Sequence, residues 1–128
     1  MIVAGVGCRR GTSAAAIAAV IEAALARAGL TPAALDVIAT AAAKGGEPGI
    51  AAAATALGMP LVLVPQVELE TAGEGAVTRS ERVVALMGVP SVAEAAALAA
   101  GGPAARLVLR RITVGPATCA LATTDTAS

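Results

Sequence analysis

Apolar residues occur in two patterns along this chain. Short, largely apolar runs at residues 1–4, 36–40 and 61–64 predict buried strands. Over residues 13–28, apolar positions recur at steps of three and four, which predicts an amphipathic helix because those positions share one helix face. Residues 47–57 predict a second helix, since a proline stands in its first turn and a glycine follows its end.

The second half of the chain predicts a different arrangement. Residues 65–78 are expected to form a loop, and helices are predicted over residues 80–87 and 92–100. Residues 106–111 and 117–122 predict two strands. They are joined through a Gly-Pro turn, which favours an antiparallel hairpin.

These elements together predict a three-layer α/β/α sandwich. Its sheet is expected to have about five strands and to be mostly parallel, becoming mixed through the C-terminal antiparallel hairpin. No internal repeat or linker divides the chain. We therefore expect a single domain over residues 1–122 and a flexible tail over residues 123–128.

The composition restricts both the core and the partners. The chain of 128 residues contains no Phe, Tyr, Trp or His, so the core must be built from aliphatic side chains, and histidine chemistry is excluded. Nine basic and nine acidic residues balance, which argues against a nucleic-acid partner. The mean hydropathy of +0.81 is high. However, prolines interrupt the uncharged stretch at residues 48–67, so no membrane span is expected.

The cysteines and the N-terminus indicate the compartment. Cys8 and Cys119 lack the spacing of metal ligands, so neither a metal nor another cofactor is expected. No basic region precedes an apolar run at the N-terminus, which argues against a signal peptide. We therefore expect a cytoplasmic protein without a disulfide.

A glycine-rich loop at residues 5–13 is the strongest candidate for a binding site. Its glycines allow a ligand to approach the backbone closely, and the free N–H groups at a helix start attract anions. Arg9 and Arg10 add cations that suit carboxylate or phosphate. The glycine spacing is one residue longer than the dinucleotide-binding motif, and a P-loop lysine is missing, so a nucleotide is not predicted. The alternative is a tight turn with solvated arginines.

Loops that follow parallel strands gather at one edge of a sheet. Residues 5–12, 41–47 and 65–70 are therefore expected to lie together. The ligand-binding residues predicted from this convergence are Gly5, Gly7, Cys8, Arg9, Arg10, Gly11, Thr12, Ser13, Lys44, Glu47 and Gln66.

Two of these residues are also catalytic candidates. Cys8 is either a thiolate nucleophile, favoured by the arginines beside it, or a small residue packed under the loop. Packing is favoured, because the chain has no histidine to activate the thiol. Glu47 is either a general base or a solvated glutamate paired with Lys44.

Other polar residues favour structural roles. Ser91 and Glu94 have the spacing of a capping box at a helix start. Arg79 and Arg82 either close over an anion or lie on a solvated helix face, and the solvated face is favoured.

Several motifs resemble the CobE family, also called the CbiG C-terminal domain family. They are the sequence GVGCRRGTS at residues 5–13, Lys44, EPG at residues 47–49 and GVPSVAEAAA at residues 88–97. The final hairpin also matches in place, so the resemblance covers nearly the whole chain. It implies a role in cobalamin biosynthesis, at the stage where the corrin ring is formed.

The resemblance implies two kinds of activity. In longer members of the family, the whole protein opens the lactone of cobalt-precorrin-5A and releases acetaldehyde. This chain begins at the family motif, so it resembles the small, stand-alone CobE-like form.

Three functions are therefore compared. The first is an accessory or carrier protein that binds an anionic precorrin, a flat tetrapyrrole with many carboxylate side chains. The second is a hydrolase that acts on a precorrin lactone through Glu47 or Cys8. The third is a structural partner of other cobalamin-pathway enzymes. The first is favoured, because the expected crevice is rich in cations and poor in catalytic groups.

Overall fold

The computed structural model describes residues 1–72 and 91–124 of the chain. Its strands are β1 (Ile2–Cys8), β2 (Leu35–Ala41), β3 (Leu61–Val64), β4 (Ala105–Val114) and β5 (Ala117–Thr124). The helices over these residues are α1 (Ala14–Arg27), α2 (Pro48–Leu57), α3 (Gln66–Ala72) and α4 (Val92–Gly101), with short 3-10 turns at Pro32–Ala34 and Ala42–Lys44.

The strands form one five-stranded sheet in the order β3-β2-β1-β5-β4. Parallel pairing joins β1 to β2 and β2 to β3. β5 is antiparallel to both β1 and β4. The predicted mixed sheet with an antiparallel C-terminal hairpin is thus confirmed.

Helices cover both faces of this sheet. On one face, α1 and α2 pack against a core that includes Val6 and Ile38. On the other face, α3 and α4 pack against a core that includes Val3 and Val37. Alternate residues of a strand point to opposite faces, so β1 contributes to both cores. The predicted three-layer α/β/α sandwich is confirmed.

β1 is longer than predicted, because it continues through the glycine-rich segment to Cys8. Gly5 lies where α4 crosses the sheet, and a Cβ there would overlap the carbonyl oxygen of Ala93. A Cβ on Gly7 would lie 2.9 Å from Thr118 Oγ1. The prediction that the loop begins at Gly5 is therefore wrong, since Gly5 and Gly7 are buried in the strand and the loop begins after it.

Two further segments differ from the prediction. Within the predicted loop at residues 65–78, Gln66–Ala72 form α3, and Leu69 N–H donates to the Pro65 carbonyl oxygen at 3.0 Å, whereas residues 73–78 lie outside the described residues. β5 continues to Thr124, beyond the predicted strand end, because Thr124 N–H donates to the carbonyl oxygen of Met1 at 3.1 Å.

Part of the prediction concerns residues that the structure does not describe. The predicted helix over residues 80–87, the arginines Arg79 and Arg82, and the end of the tail at residues 125–128 lie outside the described residues. Over residues 1–72 and 91–124, no helix combines the length and apolar character that crossing a bilayer requires.

Serine caps begin two of the helices, as predicted. Ser13 Oγ accepts a hydrogen bond from Ala16 N–H at 3.1 Å at the start of α1. Ser91 Oγ accepts one from Glu94 N–H at 3.3 Å at the start of α4. The Glu94 carboxylate also accepts from Arg111 N–H at 2.9 Å, so it ties α4 to β4.

Candidate functional site

The β1–α1 loop is a tight turn held mainly by backbone hydrogen bonds. Arg9 N–H donates to the carbonyl oxygen of Pro116 at 3.0 Å. Thr12 donates to the Arg9 carbonyl oxygen twice, from its N–H at 3.2 Å and from Oγ1 at 2.6 Å. Gly11 turns the chain with a φ of 78°, which residues with a Cβ rarely adopt. As a result Thr12 is buried, while Arg9 and Arg10 are exposed.

The β2–α2 loop carries Lys44 and Glu47 to the same edge of the sheet. Glu47 stands at the N-cap position of α2, but its side chain makes no capping hydrogen bond to that helix. Its Oε2 instead accepts a hydrogen bond from Gly11 N–H at 3.0 Å. Gly49 allows this approach, because a Cβ there would overlap the carbonyl oxygen of Thr12. Two of the three predicted loops are therefore in direct contact.

Cys8 ends β1 beneath these loops and packs, partly buried, against the core under α1 and α2. Burial raises the pKa of its thiol above 9.0, and the negative charge of Glu47 acts in the same direction. A hydrogen bond with Thr12 and the positive charge of Lys44 oppose this rise in pKa without cancelling it. The thiol is thus protonated at neutral pH, which supports the packing interpretation over a thiolate nucleophile.

The end of β3 contributes an apolar side chain that the sequence pattern did not single out. Leu63 is 46% exposed. It lies against the β2–α2 loop, since a Cβ on Gly45 would come within 2.8 Å of its Cδ1. The pattern indicated a buried strand at this position, so only the structure shows that Leu63 is presented beside the loop that carries Lys44.

Gln66, which was predicted to join the site, is exposed at the start of α3. Its Nε2 donates to Glu70 Oε2 at 3.1 Å, within the same helix. The contact between the first two loops is made without it.

The structure brings some of the predicted residues together and separates others from them. Gly5 and Gly7 are buried in β1, and Ser13 is the cap of α1. Among the described residues, no group of three or more Cys, Asp or Glu side chains is arranged to hold a metal ion. The predicted residues that lie in or beside the joined loops are Cys8, Arg9, Arg10, Gly11, Thr12, Ser13, Lys44 and Glu47.

The charges of this edge suit an anionic ligand. Arg9 and Arg10 are exposed at the turn, and Lys44 is partly exposed in the neighbouring loop. Guanidinium groups bind carboxylate and phosphate oxygens through paired hydrogen bonds, and an ammonium binds them as a point charge. The joined loops, which we call the cationic edge (residues 9–13 and 42–47), therefore carry three cationic side chains at one edge of the sheet.

Comparisons with known proteins identify the family. The family described as "Cobalamin synthesis G C-terminus" matches residues 2–122. The chain is 39% identical to Protein CobE of Sinorhizobium sp over an alignment of 121 residues, and this alignment covers 94% of this chain and 79% of that protein.

Two solved structures have the same fold. The crystal structure of CobE, a protein from the cobalamin (vitamin B12) biosynthetic pathway, matches with a TM-score of 0.90 and 35% identity, over 95% of this chain and 89% of that chain. The cobalamin biosynthesis protein chiG from Agrobacterium tumefaciens str. C58 matches with a TM-score of 0.79 and 41% identity, over 98% of this chain and 99% of that chain. The chain thus belongs to the CobE/CbiG C-terminal family of cobalamin biosynthesis proteins.

Proposed function

We propose that this chain binds an anionic precorrin intermediate at the cationic edge and acts as an accessory or carrier protein in cobalamin biosynthesis. The observation that carries the proposal is the contact between the β1–α1 and β2–α2 loops, which gathers Arg9, Arg10 and Lys44 at one edge of the sheet. Membership of a cobalamin biosynthesis family supports the class of ligand.

The chemistry of a precorrin matches the groups at this edge. Precorrins carry several acetate and propionate side chains around a flat ring, so they present many carboxylates to a small surface. Each charge-assisted hydrogen bond to a carboxylate contributes about 1.5–3 kcal/mol. Leu63, exposed beside the same loops, offers an apolar surface for the edge of the ring.

Two observations favour a carrier over an enzyme that hydrolyses a precorrin lactone. Burial raises the pKa of the Cys8 thiol, so a thiolate nucleophile is disfavoured at neutral pH. The carboxylate of Glu47, the other catalytic candidate, already accepts a hydrogen bond from Gly11 N–H. The competing function is a cobalt-precorrin-5A lactone hydrolase that releases acetaldehyde.

One experiment separates these functions. The purified protein is incubated with precorrin intermediates, and both the pigment that co-elutes with the protein and the released acetaldehyde are measured. The chain contains no Trp or Tyr, so bound pigment stands out against a weak near-ultraviolet absorbance of the protein itself. We expect stoichiometric pigment without acetaldehyde.

The other outcomes are equally informative. Acetaldehyde that accumulates over many turnovers would contradict the carrier and support the hydrolase, and its loss in Glu47→Gln or Cys8→Ser would show which side chain acts. If neither bound pigment nor released acetaldehyde is observed, both functions are contradicted.

A further inference from the structure

We infer that the Glu47 carboxylate competes with the ligand for one hydrogen-bond donor, Gly11 N–H. In the free protein Glu47 accepts this hydrogen bond, and in the complex a carboxylate of the ligand accepts it instead. Ligands with several carboxylates are then favoured, because they gain the arginines and Lys44 as well as the donor released by Glu47. This inference rests on the proposed function, since it concerns the same cationic edge.

The Glu47 side chain reaches across to the other loop instead of capping its own helix. The side chains that usually cap helix starts, by accepting from an N–H group of their own helix, are those of Ser, Thr, Asp and Asn, which are shorter than that of Glu. Glu47 makes no such bond to α2, and its Oε2 accepts from Gly11 N–H at 3.0 Å, across the gap between the loops. A carboxylate oxygen of the protein is therefore bound to a donor of the predicted anion-binding loop.

The β1–α1 loop is held by contacts that do not involve the Glu47 side chain. Arg9 N–H donates to Pro116, and Thr12 donates to Arg9 through both its N–H and its hydroxyl group. The Gly49 backbone also packs closely on the carbonyl group of Thr12. None of these contacts uses the Glu47 side chain, so we expect the turn to remain when the carboxylate leaves.

The charge of Glu47 opposes an incoming anion. Burial is the main cause of the raised pKa of the Cys8 thiol, and the negative charge of Glu47 adds a smaller effect in the same direction. Replacing the carboxylate removes a repulsive charge and frees Gly11 N–H. Anion affinity should therefore rise when Glu47 is removed, whereas a side chain that merely positioned the loop would lower affinity on removal.

The test measures the affinity of wild type, Glu47→Gln and Glu47→Ala for two probes, citrate and a porphyrin octacarboxylate, at low ionic strength. We expect Glu47→Ala to bind both probes about three- to tenfold more tightly. Glu47→Gln is expected to show a smaller gain, because its amide oxygen still accepts from Gly11 N–H.

Glu22→Gln is the matched control. Glu22 is exposed on α1, nine residues beyond the Ser13 cap, which places it about 13 Å along the helix axis. This distance exceeds the screening length of about 8 Å at physiological ionic strength, so in buffer of that strength its replacement is expected to leave both affinities unchanged. The comparison is repeated in that buffer for all four proteins.

A second readout does not depend on affinity. In wild type, citrate is expected to shift the Gly11 amide resonance in the nuclear magnetic resonance spectrum as one carboxylate replaces another. In Glu47→Ala without ligand, that amide is expected to exchange with solvent faster than in wild type, since its acceptor is gone.

The results distinguish this inference from the proposed function. Equal or weaker citrate binding by Glu47→Ala, or no citrate binding by it at all, would overturn internal competition. If citrate binding rises in Glu47→Ala while no variant binds the porphyrin, the competition stands and tetrapyrrole binding is contradicted.

Discussion

At the scale of single residues, the glycines of one motif have different tasks. Gly5 lies in β1, where the backbone of α4 packs so closely that a Cβ on this residue would overlap the carbonyl oxygen of Ala93. Gly11 lies in the loop, where a φ of 78° turns the chain. The sequence shows that both are glycine, but it does not show which neighbour each one meets, so Gly5 was assigned to the loop.

The close approach of α4 predicts a stability effect. Gly5→Ala is expected to lower the free energy of unfolding by about 1–3 kcal/mol, since the added Cβ meets backbone atoms that a rotamer change cannot move. Gly46→Ala is the control, because nothing lies within 4 Å of a Cβ there, and a change of less than about 0.5 kcal/mol is expected. Urea unfolding followed by circular dichroism measures both, and equal losses would contradict the packing account.

The buried cysteine predicts a dependence on alkaline pH. Burial raises the pKa of the Cys119 thiol from 9.0 to about 12. The folded state therefore holds the proton more tightly than the unfolded state, and stability falls as pH rises above 9.0, by up to about 1.4 kcal/mol per pH unit. Cys8, whose pKa is also raised, acts in the same direction.

Urea unfolding between about pH 8 and about pH 10.5 measures this loss. The chain has no Tyr, and Lys44 is its one lysine, so few other groups titrate in that range. Cys119→Ala is expected to remove most of the pH dependence, whatever its effect on stability at pH 8. If the free energy of unfolding falls equally steeply with pH in wild type and in Cys119→Ala, the Cys119 thiol is not responsible for the loss.

At the scale of elements, local signals predict those helices and strands whose ends depend on their own residues. Ser13 caps α1, and Gly58 ends α2 with a φ of 67°, as the sequence indicates. The length of β1 depends on tertiary pairing: β1 remains a strand through its glycines because β5 pairs with it as far as Cys8. Such pairing leaves no local signal in a glycine-rich segment.

Glu94 also has a role between elements that its motif did not reveal. The register between β4 and β5 shifts between Leu109 and Ile112, where Arg111 lies. The fully buried Glu94 carboxylate accepts from Arg111 N–H at 2.9 Å, so α4 supplies an acceptor at the irregularity. Sequence spacing predicted the serine cap but not this bond to a strand.

Replacement of Glu94 is expected to destabilise the hairpin. Glu94→Ala should cost about 1–3 kcal/mol, because a hydrogen bond is lost and the partly buried Arg111 amide is left without this acceptor. Glu94→Gln should cost less, since it keeps an oxygen acceptor. Glu22→Ala, an exposed change on α1, is the control. A cost for Glu94→Ala no greater than that of Glu22→Ala, measured by chemical unfolding, would contradict this role.

At the scale of the whole molecule, the order of strands and helices was enough to predict the layers and the edge where loops meet. The carboxyl ends of β1 and β2 bring their loops together, as the parallel arrangement requires. The bond between Glu47 and Gly11 could not be predicted, because it depends on the direction of one side chain across 36 positions of sequence. The exposure of Leu63 likewise depends on β3 being an edge strand.

The central claim is that the cationic edge binds a tetrapyrrole through its carboxylates. Its most direct test is to measure the dissociation constant of a porphyrin octacarboxylate for three proteins. They are wild type, the double variant Arg9→Gln with Arg10→Gln, and a control double variant, Arg106→Gln with Arg110→Gln, which replaces two exposed arginines of β4. The account predicts that the first pair weakens binding by at least about thirtyfold, through the loss of charge-assisted contacts, while the control changes it by less than about twofold. Equal affinity of all three folded proteins would contradict the account.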